Sequence, residues 1–168
     1  HTQQMRRRWE AEVEPLSVSE IKPITVERLC RELEKALPED AVLVADTGYS
    51  GIWTGTLIKL NGGGQSYLRA AGSLGWGFPA AIGAQCALPN RPVVCFCGDG
   101  GFYYHLSELE TARRWQIPVT VIVNNNGALG QNISGVRAAY GGSNGRFRDL
   151  THFEPVNFAQ VANAFGCR

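Results

Sequence analysis

The sequence predicts a doubly wound α/β fold, a mainly parallel sheet with helices on both faces. Three observations carry that expectation. Short, near-continuous apolar runs recur at Ala41–Ala45 (AVLVA), Val93–Cys97 (VVCFC) and Val119–Val123 (VTVIV), as in strands covered on both sides. Helix-length segments with apolar residues at helical spacing separate them. The tripeptides Gly98–Gly100 (GDG) and Asn124–Asn126 (NNN) follow the second and third runs directly. Parallel strands would bring both loops to the carboxyl end of the sheet, where open α/β folds bind ligands.

The elements follow in order. His1–Ser19 has no clear period, is rich in Arg and Glu and contains Pro15, so it reads as an interdomain connection with one short helix. Ile24–Leu37 is helical, with Val26, Leu29, Cys30, Leu33 and Leu37 on one face, Thr25 as its cap and Pro38 as its stop. After the Ala41–Ala45 strand come the loop Asp46–Ser50 (DTGYS) and a short helix through Trp53 and Leu57. Asn61–Gln65 is a turn and Ser66–Ala70 a short strand. The glycine-dense loop Ala71–Gly77 leads into Phe78–Leu88, a small-residue helix suited to close packing on a sheet, with Pro79 in its first turn. Pro89–Pro92 turns into the Val93–Cys97 strand. Phe102–Trp115 is a single helix, with Phe102, Leu106, Leu109 and Ala112 inward and Arg113 and Arg114 outward. Beyond Gly130 the pattern loosens, Tyr140–Arg148 reads as a mobile loop, and Val156–Phe165 is the last helix.

Composition narrows the function classes. A chain of 168 residues with 44% hydrophobic and 18% charged residues supports one globular domain, expected over residues 20–168. A net charge of +1 gives no footprint for nucleic acid or an acidic membrane surface, and Arg6–Arg8 is a solvated flank. The five cysteines are odd in number and lack CxxC spacing. Reduced core thiols in a reducing compartment, the cytoplasm, account for them. No signal peptide or membrane-spanning run is visible. A start at His1 and a stop at Arg168 just after a helical pattern read as cuts within a longer protein.

Chemistry concentrates between Gly98 and Gly130. An acid, Asp99, and an amide, Asn126, converging at the strand ends with glycines beside them suit a hard divalent cation holding phosphate oxygens. Asp99 alone would serve equally well as a helix cap, and Asn126 as a turn residue. Leu74 would otherwise be plain core packing, and Tyr49 and Ser50 a surface loop. Asn124 reads as a loop residue; His105 and His152 as surface or satisfied core groups; Trp53, Trp76 and Trp115 as packing residues.

GDG followed by a strand-flanked NN, with Asn126 27 residues after Asp99, resembles the signature of thiamine diphosphate (ThDP) enzymes of the acetolactate synthase, pyruvate decarboxylase and benzoylformate decarboxylase superfamily. Phe78–Ala84 (FPAAIGA), Glu108–Ala112 (ELETA) and Asp46–Trp53 (DTGYSGIW) extend the resemblance, which covers Pro23 to Gly130 and is poorer from Gln131 to Arg148. It corresponds to the family's C-terminal diphosphate-binding domain and implies the ThDP-binding fold. It implies Mg²⁺ held by the Asp99 carboxylate, the Asn126 amide oxygen and the Ala128 carbonyl. It implies diphosphate contacts from Gly100 and Gly101 on one side, and from Gly48, Tyr49 and Ser50 on the other. The family often carries Ser or Ala where Gly101 stands. Leu74 matches the residue that wedges beneath the bent cofactor, and Gly72 the one whose carbonyl accepts from the aminopyrimidine.

The resemblance further implies a 2-oxo acid decarboxylase or carboligase of acetolactate synthase-like type, a homodimer or homotetramer acting on a small 2-oxo acid. No catalytic residue is expected in this chain. The activating Glu belongs to a pyrimidine-binding domain of the same protein, in a neighbouring subunit, so the chain alone should be inactive. The stretch after Gly130 lacks the Trp found there in many acetolactate synthases. A non-catalytic module of the same fold, serving regulation or assembly, is the alternative.

Overall fold

A computed structural model of the chain describes residues 2–61, 63–140 and 146–168. Its centre is a four-stranded sheet of β1 (Val42–Ala45), β2 (Ser66–Arg69), β3 (Val93–Gly98) and β4 (Val119–Asn124), in the order β2-β1-β3-β4. Every pairing is parallel: Val42 lies opposite Val93, and Gly98 opposite Asn124. The chain moves outward in opposite directions from the β1/β3 pair, which makes the carboxyl end of that pair a topological switch point.

Side-chain alternation along the strands distributes the helices. Val42, Val44, Val93, Cys95 and Cys97 point to one face and pack with Phe78, Ala81 and Ile82 of α4 (Gly77–Ala87), Phe102 of α5 (Asp99–Tyr104), Leu109 of α6 (Glu108–Arg114) and Phe158 of α9 (Phe158–Ala164). Leu43, Val94 and Phe96 point to the other, against Cys30 and Leu33 of α2 (Val26–Ala36), Ile58, and Trp53 and Leu57 of α3 (Tyr49–Leu57). Both faces are covered, as the near-continuous apolar strands require.

Local signals set most boundaries. Thr25 Oγ1 accepts the Arg28 N–H at 3.3 Å and starts α2, and Asn157 Oδ1 accepts the Gln160 N–H at 3.1 Å and starts α9. Helix α9 is shorter than the expected Val156–Phe165 because that cap lies inside the span.

Three expectations need correction. The first nineteen residues hold α1 (Thr2–Ser17), a full helix rather than the short one expected there. Long-range bonds that no local pattern shows hold it to α2: Arg31 pairs with Glu14 at 2.8 Å, and Thr25 Oγ1 donates to the Leu16 carbonyl at 2.7 Å. The expected single helix Phe102–Trp115 begins earlier and is broken into α5 and α6 at His105, where φ is −133°. Three-residue hydrogen bonds, His105 N to Phe102 O and Glu108 N to His105 O, carry the chain across the break. The loosened stretch after Gly130 is ordered into a 3-10 turn, Gly130–Asn132, and α7 (Ile133–Ala139). Of the expected loop at Tyr140–Arg148, residues 141–145 lie outside the described residues, as does Gly62 of the Asn61–Gln65 turn; Phe147 opens α8 (Phe147–Thr151).

Candidate functional site

The loops after all four strands open into one cleft of about 350 Å³ at the carboxyl end of the sheet. It is lined by every residue that the resemblance assigns to metal or cofactor: Gly48, Tyr49 and Ser50 from the start of α3; Gly72 and Leu74 from the loop before α4; Asp99, Gly100 and Gly101 from the first turn of α5; Asn126 and Ala128 from the segment after β4.

Register explains the convergence. Because β3 and β4 pair in parallel up to Gly98 and Asn124, Asp99 and Asn126 emerge side by side. Asp99 is buried; its Oδ1 accepts the Gly100 N–H at 2.7 Å and its Oδ2 the Ala128 N–H at 3.0 Å. The Asn126 Oδ1 accepts the same Ala128 N–H at 3.1 Å. One backbone amide thus brings the carboxylate and the side-chain amide oxygen together. The Ala128 carbonyl accepts from Gly130 N at 2.9 Å, which leaves a second lone pair. The Gly100 N–H is engaged by Asp99 itself, so of the two glycines expected to face an anion, Gly101 is the one whose N–H has no acceptor inside the helix.

A residue given no role in the sequence holds the opposite wall. Asp46, 1% exposed at the end of β1, accepts from Thr47 N at 2.6 Å, from Gly75 N at 3.1 Å on both oxygens, and from Gly77 N at 3.3 Å. These bonds tie the loop carrying Gly72 and Leu74 to the sheet. Burial raises the Asp46 carboxyl above its ordinary value; the Thr47, Gly75 and Gly77 N–H groups and His105 oppose that shift. The signal that could have revealed it is Asp followed by Thr-Gly directly after a buried strand, the same placement as Asp99 after β3.

Trp53, expected as packing alone, also lines the cleft, and its ring stacks on Tyr49 at 5.0 Å with an interplanar angle of 18°. Asn124, expected in a loop, ends β4 and lines the cleft as well. His105 does not line it; its Nδ1 is buried without a hydrogen-bond partner among the described residues, and a Cβ on Gly75 would come within 2.9 Å of it. The His152 backbone bridges Ala128, while its ring lies 2.9 Å from Thr151 Oγ1.

The donor set decides which ion the cleft suits. Among the described residues no three His, Cys, Asp or Glu side chains converge as a transition-metal site would require. The cleft instead offers a carboxylate, an amide oxygen and a peptide carbonyl, the neutral and anionic oxygens that a hard cation such as Mg²⁺ takes together with phosphate oxygens. Its glycines leave the backbone bare. Gly72 adopts φ +123°, with nothing within 4 Å of where a Cβ would stand, so glycine is needed there for conformation and leaves open space above the chain. The residues present fit a diphosphate–Mg²⁺ group.

Fold and cleft together define a parallel α/β domain with a glycine-rich cleft of oxygen donors at its topological switch point. The family is specific: residues 46–168 match the model described as "Thiamine pyrophosphate enzyme, C-terminal TPP binding domain", and the chain belongs to that family. The match begins at Asp46 and runs through to Arg168, past the stretch where the sequence resemblance thins. Among curated proteins the chain is 33% identical to the acetolactate synthase large subunit of Porphyra purpurea, over 79% of this chain and 22% of that protein. It is 33% identical to the sulfoacetaldehyde acetyltransferase of Castellaniella defragrans, over 94% and 27%. Among solved structures, a thiamine diphosphate-dependent 4-hydroxybenzoylformate decarboxylase of Rhodococcus jostii RHA1 superposes with a TM-score of 0.74 at 29% identity, over 89% of this chain and 28% of that one. The chain spans about a quarter of the length of these relatives. Among the described residues no helix is long and apolar enough to cross a membrane.

Proposed function

We propose that this chain binds Mg²⁺ and the diphosphate half of thiamine diphosphate, as part of a ThDP-dependent 2-oxo acid decarboxylase or carboligase of acetolactate synthase-like type. The observation that carries the reading is the shared bond of Asp99 and Asn126 to the Ala128 N–H, which holds the two oxygen donors side by side at the mouth of the GDG turn. Membership in the TPP-binding family supports the cofactor half of it.

In this reading Asp99, Asn126 and the Ala128 carbonyl hold the metal, and Gly48, Tyr49, Ser50, Gly100 and Gly101 surround the diphosphate. Gly72 and Leu74 lie on the loop that Asp46 anchors. Leu74 supports the bend of the cofactor, and the Gly72 carbonyl receives the aminopyrimidine. When bound, ThDP supplies the electron sink for cleaving a bond next to the carbonyl of a small 2-oxo acid. The chain's part is orientation: fixed donors and bare backbone hold the diphosphate so that the reactive ring is aimed without reorganisation.

Residues 20–168 form the cofactor-binding domain and residues 1–19, with helix α1, connect it to the rest of the protein. The pyrimidine-binding domain, with the activating Glu, comes from the same protein in a neighbouring subunit of a homodimer or homotetramer. The chain alone is therefore inactive, and it neither binds nucleic acid nor enters a membrane. Five free cysteines, three of them buried, support a reducing compartment, the cytoplasm.

Calorimetric titration of ThDP with and without Mg²⁺, on the wild type and on Asp99→Ala, tests the reading. Binding that needs Mg²⁺ and is lost in the variant is expected. Binding indifferent to both would overturn the metal assignment.

A further inference from the structure

Beside the cofactor cleft lies a second cavity of about 600 Å³, lined by Tyr49, Gly130, Ile133, Ser134, Arg137 and Ala138. Tyr49 and Gly130 line both spaces, so the two are contiguous. Ile133, Ser134, Arg137 and Ala138 of α7 supply most of its lining, and Tyr49, whose ring stacks on Trp53, is shared with the cleft.

Its charge is one-sided. Arg137 is the sole ionisable cation in the described lining, and no carboxylate lines the cavity. The nearest acid in the adjoining cleft, Asp99, is buried and already accepts from Gly100 and Ala128. Several surface arginines are matched with acids, Arg28 with Glu32, Arg31 with Glu14 and Arg114 with Glu110. Among the described residues no carboxylate pairs with Arg137. Its guanidinium carbon stands 6.0 Å from the centre of the Phe147 ring, a cation–π contact that uses no acceptor for the guanidinium N–H groups. Beside it Gly135 adds no side chain, and a Cβ there would meet nothing within 4 Å.

We infer that Arg137 is a specificity residue that recognises a second, non-reacting anionic group on the substrate, such as a carboxylate or sulfonate at the far end of a 2-oxo acid. The inference rests on the proposed function for the identity of the neighbouring cleft. The chemistry says which anion is meant. A cation that grips the carboxylate about to leave as CO₂ would stabilise the ground state and oppose its loss. A cation at a distance that grips a spectator group spends binding energy on position without that cost. The apolar Ile133 and Ala138, with the Ser134 hydroxyl, suit a short methylene chain ending in an acid.

The test uses the full-length protein carrying this chain, titrated calorimetrically with glutarate and with pentanoate, equal in carbon count but differing in the second carboxylate, with and without ThDP and Mg²⁺. Glutarate is expected to bind about tenfold more tightly, the size of one partly solvated charge-assisted contact. That preference should vanish in Arg137→Met and survive in part in Arg137→Lys; the side chain is exposed, so both variants fold. In turnover, kcat/KM for 2-oxoglutarate over 2-oxopentanoate should fall by a similar factor in Arg137→Met. A parallel titration with 4-sulfobutanoate separates a sulfonate from a carboxylate preference, and tighter binding than pentanoate by either acid supports the inference. Equal binding of the probes, or a preference that persists in Arg137→Met, overturns it. Loss of Mg²⁺-dependent ThDP binding in the wild type would sink the cofactor reading, while the cofactor-free titrations would still decide the role of Arg137.

Discussion

Both carboxylate oxygens of Asp46 lie 3.1 Å from the backbone nitrogen of Gly75, twenty-nine residues away in sequence. This contact joins the end of β1 to the loop that carries Gly72 and Leu74, and it places a buried charge against a bare stretch of backbone. The cost of burying Asp46 is offset first by N–H donors, two of them on that loop, and then by His105, so the loop's position and the acid's ionisation are linked.

Asp46→Asn should therefore destabilise the protein by about 1–3 kcal/mol at neutral pH, because its amide turns a donor toward the Gly75 and Gly77 N–H groups. The variant should also change the pH dependence. A carboxyl whose folded value is raised binds its proton more tightly in the native state. That stabilisation is complete below the unfolded value of 3.8 and is lost as pH rises through the folded value. Urea unfolding of both proteins across the acid range should show this decline in the wild type and not in Asp46→Asn.

Two helical glycines of α4 should respond in opposite directions. A Cβ on Gly77 would stand 2.9 Å from Asp46 Cβ and 3.1 Å from its Cα and N, atoms fixed in the sheet, so Gly77→Ala should cost about 1–3 kcal/mol. Gly83 is exposed, and a Cβ there meets nothing within 4 Å, so Gly83→Ala should gain about 0.5–1 kcal/mol through helix propensity. Thermal melts of the two variants beside the wild type check both signs.

Metal removal should act through Asp99 and Asn126. Chelation of Mg²⁺ is expected to weaken ThDP binding strongly in the wild type and to change nothing further in Asp99→Ala. Asn126→Ala should weaken it less, since a neutral oxygen contributes less to a hard cation than a carboxylate. Fluorescence quenching of Trp53, which lines the cleft, offers a direct readout.

Thiol labelling should divide the cysteines by burial. Cys86 is exposed and should react first. Cys30, whose thiol is pushed up to about 12 by burial and by Glu27, should react only on unfolding. Cys95 and Cys97 should behave likewise, Cys97 being raised by its hydrogen bond to Cys95 and by burial. Mass spectrometry after a short alkylation at mildly alkaline pH distinguishes them.

What the residues declare by themselves is whatever depends on near neighbours along the chain. Apolar runs flanked by helical periodicity specified a parallel, doubly covered sheet, and Thr25 specified where α2 begins. GDG after one strand and NN after the next placed Asp99 and Asn126 at one end of adjacent strands, because parallel register carries equivalent positions to the same edge. What only the tertiary structure decided depends on approach between distant segments. Helix α1 is docked on α2 because Arg31 and Thr25 meet its end. The helix after GDG breaks at His105, where no glycine or proline marks it, as Tyr104 and His105 close on Gly75. Asp46 becomes an anchor because N–H groups twenty-nine and thirty-one residues on turn toward it. Arg137 faces a cavity because α7 folds beside Tyr49. Periodicity reports which face of an element is apolar; it holds no information about which backbone will arrive at hydrogen-bonding distance, and that is what packing supplies.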